Sequence, residues 1–145
     1  MQQLSYLTLH PPRATFGSTF GPMTPAGTVF ARASDRWASS PVSSVDLYNP
    51  SKTVRQARLD ARFGAEFSAR LAIRLPSGEV DTLAIGPGGQ NYGHTVTLRP
   101  GHNRVLFVTD IPVNANQRNY LDVANFRLID QTAQSLALRA STELR

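Results

Sequence analysis

From Pro41 onward the chain places apolar residues at every second position, and that period limits what it can fold into. Ala57, Leu59, Ala61 and Phe63 alternate with Arg58, Asp60 and Arg62, and Leu71, Ile73 and Leu75 alternate with Arg70, Ala72 and Arg74. Val45, Leu47 and Asn49 share one face, with Asp46 and Tyr48 on the other. Val96 and Leu98, Val105 and Phe107, Phe126 and Leu128, and Leu136 and Leu138 continue the pattern. Successive side chains of a strand point to opposite faces, so such runs describe strands with one dry face and one wet face.

Turn chemistry separates the runs: Tyr48-Asn49-Pro50-Ser51, Pro76-Ser77-Gly78, Gly86-Pro87-Gly88-Gly89 and Arg99-Pro100-Gly101-His102-Asn103. Short strands with this punctuation predict an all-β chain folded as an antiparallel β-sandwich or jelly roll. Gly86-Pro87-Gly88-Gly89 reads as a flexible hairpin tip. Residues 122–144 read as a strand through Phe126-Arg127-Leu128-Ile129, a turn from Gln131 to Gln134 and a last strand, the competing reading being an amphipathic helix through Asn125, Leu128, Thr132 and Leu136. The expected core is Leu47, Leu59, Phe63, Leu71, Ile73, Val96, Val105, Phe107, Phe126 and Leu128.

The first forty residues differ. Pro11, Pro12, Pro22 and Pro25, with Gly17, Gly21 and Gly27 between them, rule out a long helix. Residues 1–40 are expected to form an extended Pro/Gly-rich N-terminal arm with short strands at Leu4–Leu9 and Thr28–Ala33, and residues 41–145 the sandwich body. Leu4, Tyr6, Leu7, Phe16 and Phe20 give the arm apolar side chains to set against another surface.

At 145 residues, with 41% hydrophobic and 17% charged residues, the chain suits one core. No stretch reaches the ~20 apolar residues of a membrane helix, so no membrane insertion is expected. Residues Met1–His10 lack the basic start and apolar run of a signal peptide. The absence of cysteine excludes disulfides, thiol catalysis and Cys-ligated metals. The net charge of +5 comes from scattered arginines, Lys52 being the one lysine, and forms no basic stripe of the kind that binds nucleic acid.

Catalytic patterns are missing. His10, His94 and His102 have no metal-site spacing, and GxSxG, P-loop and HExxH motifs do not occur. The acids are dispersed beside arginines. The sequence therefore points to a non-enzymatic protein with no catalytic residues, no cofactor and no metal site, although the loop 110–116 offers oxygen ligands suited to calcium. Trp37, Tyr92 and Tyr120 remain as stacking candidates for a sugar ring, with Asn116 and Arg118 as hydrogen-bonding neighbours.

The run Tyr48-Asn49-Pro50-Ser51, preceded by Arg36-Trp37 and followed by Leu98-Arg99-Pro100-Gly101-His102-Asn103 and Phe126-Arg127-Leu128, resembles the extracytoplasmic β-sandwich accessory domains of bacterial membrane glycosyltransferases. The resemblance spans about Arg32 to Leu138 and implies the fold; it does not cover the arm, and no stretch corresponds to the family's membrane anchor. Two functions follow as expectations. The first is a structural assembly protein, such as a virion capsid decoration or capsid-associated protein, whose arm clasps protein subunits of its own kind or of a shell. The second is an extracytoplasmic carbohydrate-binding module with a glycan partner.

Overall fold

A computed structural model describes residues 10–21, 35–114 and 116–143. Among these described residues nine strands and one helix follow in order: β1 (Arg13–Phe16), β2 (Arg36–Ala38), β3 (Val42–Asn49), β4 (Arg55–Gly64), β5 (Ala69–Arg74), β6 (Val80–Ile85), β7 (Gln90–Leu98), β8 (Gly101–Thr109), β9 (Leu121–Asp130) and α1 (Gln131–Glu143). They build two antiparallel sheets, a five-stranded one in the order β1-β3-β8-β5-β6 and a four-stranded one in the order β2-β9-β4-β7. The all-β sandwich expected from the period-two pattern is the fold.

The alternating positions fill the space between the sheets. Leu47, Leu59, Phe63, Leu71, Ile73, Val96, Val105 and Phe107 are buried, as expected, while Phe126 and Leu128 pack against that core at its margin. Phe63 and Phe107, one from each sheet, meet with ring centroids 5.3 Å apart. Phe16 and Phe20 extend this aromatic column. Phe16 sits 5.1 Å from both Phe20 and Phe126, and Phe20 lies 6.3 Å from Phe107. These two residues of the expected assembly arm thus spend their apolar surface on their own chain. Leu4, Tyr6 and Leu7, with the expected strands Leu4–Leu9 and Thr28–Ala33, lie outside the described residues.

β1 and β2 were not anticipated. Each is a short edge strand, β1 on β3 and β2 on β9. Asn125 adopts a φ of 53°, a conformation Asn tolerates, where the β4–β9 register shifts between Asp60 and Arg62.

Residues 131–143 correct the expectation of a final strand. Asp130 accepts a hydrogen bond from the Ala133 amide through Oδ1 (3.1 Å), an N-cap that starts α1. The same carboxylate pairs with Arg55, which is fully buried although it lies on the inward face of β4. Arg55 also donates to the His10 carbonyl at 2.5 Å, so one guanidinium joins the N-terminal segment, β4 and the β9–α1 junction. The Gly86–Gly89 turn departs from expectation too: it carries the chain from one sheet to the other rather than closing a hairpin.

Phe107→Ala, which empties the middle of the aromatic column, is expected to lower unfolding free energy by about 3–5 kcal/mol in denaturant melts. Val108→Ala, on the outward face of the same strand, is expected to change it by less than about 0.5 kcal/mol.

Candidate functional site

Two buried asparagines lock one end of the sandwich. Asn49, the last residue of β3, donates through Nδ2 to the Thr53 carbonyl (2.9 Å) and the Leu98 carbonyl (3.0 Å). Its Oδ1 accepts from the Ser51 amide (3.0 Å) and the Ser51 hydroxyl (2.7 Å). Asn103 on β8 donates to the carbonyls of Leu47 (3.1 Å), Arg99 (2.9 Å) and Gly101 (3.1 Å), and accepts from the Arg99 amide (3.0 Å). Gly101, at a φ of 91°, supplies the left-handed step that this turn requires.

Because side chains alternate, the residue before each asparagine points outward, and Tyr48 and His102 lie directly opposite each other on β3 and β8. Their ring centroids are 4.9 Å apart on the outer face of the five-stranded sheet. Arg13, opposite Tyr48 on β1, holds its guanidinium 5.8 Å from the tyrosine ring centre. His102 is 78% exposed, and its Nδ1 lies 2.7 Å from Asp46 Oδ2. Depressions flank the pair on both sides. One is lined by Arg13, Thr15, Asp46 and Tyr48, the other by Arg74, Arg99, Arg104 and Asn103, and His102 borders both. The arrangement joins two flat rings, several guanidinium donors and one carboxylate on a rigid sheet, which is suited to binding rather than to bond cleavage.

The binding residues expected from sequence fall elsewhere and apart. Trp37 is half-buried on β2, at one edge of the four-stranded sheet, and Tyr92 lies on β7 at the opposite edge. Tyr92 points inward, its ring 5.9 Å from Phe63 and its hydroxyl donating to Asp81 Oδ2 at 2.6 Å. Tyr120 is 2% exposed, and its hydroxyl accepts from the Asn114 amide at 3.3 Å, so its ring offers no stacking face. Asn116 and Arg118 are exposed in the loop between β8 and β9. In the same loop Asp110 Oδ1 and Asn114 Oδ1 already accept backbone amides, from Arg70 (2.8 Å) and Asn116 (2.9 Å).

Neither a protein-family profile nor a curated protein matches the chain in sequence. Among solved structures it is similar to a family 35 carbohydrate-binding module from an environmental isolate, with a TM-score of 0.52 at 13% identity over 83% of this chain and 90% of that one. It is also similar to Xyl-CBM35, solved with a glucuronic acid-containing disaccharide, at a TM-score of 0.49 and 14% identity over 81% of this chain and 88% of that one. The Podospora anserina GH26-CBM35 β-(1,4)-mannanase has a TM-score of 0.49 and 14% identity over 83% of this chain, which spans 28% of that enzyme's length. At these identities the likeness is one of fold.

Of these neighbours the family 35 module, at a TM-score of 0.52, corrects the expectation of a capsid-associated assembly protein: the fold matched is that of a carbohydrate-binding module and favours the alternative expectation. The resemblance to β-sandwich accessory domains holds at the level of fold, and the link to membrane glycosyltransferases gains nothing from them.

Burial and the Asp81 carboxylate together push the Tyr92 phenol well above the ordinary tyrosine range. A group raised in the folded state contributes stability below its unfolded pKa of about 10 and loses it as the pH climbs beyond. Urea melts of the parent protein are therefore expected to show a loss of stability above about pH 10 that is smaller in Tyr92→Phe, where nothing titrates at this position.

Proposed function

We propose that this chain is a non-catalytic carbohydrate-binding domain that receives a glycan across the outer face of its five-stranded sheet. The observation that carries the reading is the outward Tyr48–His102 pair, 4.9 Å between centroids, with Arg13, Asp46 and Arg104 around it. A pyranose presents axial C–H groups on one face and hydroxyls at its rim. Flat rings meet the first, and guanidinium and carboxylate groups meet the second. The likeness in fold to a family 35 carbohydrate-binding module supports the reading without assigning the site.

Charge narrows the class of glycan. Arg13, Arg74, Arg99 and Arg104 line the two depressions against a single carboxylate, Asp46, which already engages His102. Guanidinium matches carboxylate in bidentate geometry, so sugars bearing uronic acids fit better than neutral ones.

Isothermal titration with uronic acid-containing and neutral oligosaccharides tests this. Tyr48→Ala is expected to weaken binding about tenfold or more, the loss of one stacking ring. Arg104→Ala is expected to narrow the preference for the acidic ligand and to flatten its dependence on salt. Unchanged affinity in Tyr48→Ala would remove the outer face as the site, whatever the protein binds elsewhere.

A further inference from the structure

The lateral opening of the sandwich holds a second constellation, remote from the Tyr48–His102 face. β6 is the edge strand of the five-stranded sheet and β7 the edge strand of the four-stranded one, and here the two edges face each other. Asp81 and His94 occupy inward registers of these strands, opposite Ile73 and Leu59 respectively. Because the opening admits solvent from the side, both side chains keep about a third of their surface exposed, 29% and 30%. Glu79, in the turn just before β6, completes the group. One donor atom from each of Glu79, Asp81 and His94 lies within 4.8 Å of the others.

The imidazole orientation shows what these groups converge on. His94 Nδ1 lies 2.7 Å from the Thr95 carbonyl, which can only accept, so Nδ1 carries the proton. In the neutral ring the lone pair then sits on Nε2, and Nε2 faces Glu79 Oε2 at 3.5 Å and Asp81 Oδ2 at 3.9 Å. Ionised carboxylates are acceptors only. Three electron-rich atoms aimed at one point suit a cation held between them, whether a proton on Nε2 or a metal ion. A backbone carbonyl that fixes the far nitrogen of a histidine is also how proteins orient an imidazole toward a metal. The Tyr92 hydroxyl donates to the same Asp81 Oδ2 at 2.6 Å and so fixes the oxygen that faces the imidazole.

We propose that Glu79, Asp81 and His94 bind a zinc-class divalent cation that clips the open edges of the two sheets together. Metal–ligand lengths of about 2.0–2.2 Å place neighbouring ligand atoms roughly 3.0–3.6 Å apart. The observed 3.5 Å already falls in that range, and closing the 3.9 Å Asp81–His94 pair and the Glu79–Asp81 pair, within 4.8 Å, calls for shifts of the partly exposed side chains. One imidazole nitrogen with two carboxylate oxygens favours zinc and similar borderline ions over calcium and magnesium, which take oxygen alone. The fourth position falls to water, and the ion's role is to staple rather than to catalyse. The separation of Glu79 and Asp81 from His94 along the chain, and their placement on different sheets, hid this group from a search for metal-ligand spacing.

The test uses the full chain after chelator treatment, with zinc, cobalt, calcium and magnesium salts as probes. One equivalent of zinc is expected to bind, and saturation at about a hundred times Kd should raise Tm by roughly 5–10 °C. Cobalt should give visible d–d bands. His94→Gln and Asp81→Asn are expected to weaken zinc binding about tenfold or more and to remove the cobalt bands. Tyr92→Phe, which keeps the ring packing and loses the hydroxyl, should weaken it roughly 10–100-fold with an unchanged circular dichroism spectrum. Three results would overturn the proposal: no stabilisation by zinc, equal zinc affinity in His94→Gln, or calcium binding as tightly as zinc. None of these readouts involves a glycan, so the site stands or falls separately from the proposed function.

Discussion

Asn49 and Asn103 hold the end of the sandwich on which the rest of the site depends. Each is an amide buried where the alternating pattern would otherwise place an apolar side chain, and together they tie the β3–β4 and β7–β8 turns to strand carbonyls. A buried amide is tolerated only when its donors and acceptors are met, and meeting them fixes turn geometry as no aliphatic side chain can. The consequence reaches the opposite face of the sheet. With Asn49 and Asn103 pinned inward, Tyr48 and His102 have no choice but to stand outward and in register. Stability and presentation of the candidate site thus have one cause.

Arg55 and Asp130 play the matching part in the interior. A buried guanidinium is costly to desolvate, and it persists here because the Asp130 carboxylate and the His10 carbonyl both receive it. Asp130 divides its two oxygens between this pair and the first turn of α1. The helix therefore begins where it does for a reason set in β4, seventy-five residues earlier in the chain. Gln56 adds to this junction by donating its amide to the Thr132 hydroxyl at 2.7 Å.

The sheet architecture was legible because alternation is a local property: a strand's own residues declare which of them face inward. Eight of the ten expected core residues are buried, and Phe126 and Leu128 fall short because β9 bulges at Asn125 just before them. The final helix was less legible: Leu136 and Leu138 alternate as strand residues do, and only the Asp130 side chain, of a type that caps helices and here accepting from the Ala133 amide, marks the start of α1. The candidate site was half legible. Asp46 and Tyr48 could be placed on an outward face, but strand order is non-local, and nothing in the chain says that β8 brings His102 beside Tyr48 or that β1 brings Arg13. Aromatics near turns drew attention instead. Tyr92 and Tyr120 proved to be inward-facing anchors, their hydroxyls engaged with Asp81 and with the Asn114 amide.

The arginines show why scatter in sequence need not mean scatter in space. On the outer face of the four-stranded sheet Arg58 and Arg62 are engaged internally. Arg58 pairs with Asp60 at 2.9 Å, and the two lie over Gly93, where a Cβ would come within 2.2 Å of the guanidinium. Arg62 donates to Asn91 Oδ1 at 3.3 Å and to the Gly88 carbonyl. On the five-stranded sheet the cations are left open: among the described residues no ion pair engages Arg74, Arg99 or Arg104, and the one nearby acid is taken by His102. The five-stranded face therefore carries guanidinium groups that no described ion pair engages. Uncompensated guanidinium groups on a shallow surface attract anions and, beside exposed rings, select planar acidic ones. Their grouping arises from strand order, which sets β1, β3, β8 and β5 side by side. The proposed anionic glycan would meet them on the sheet that also carries Tyr48.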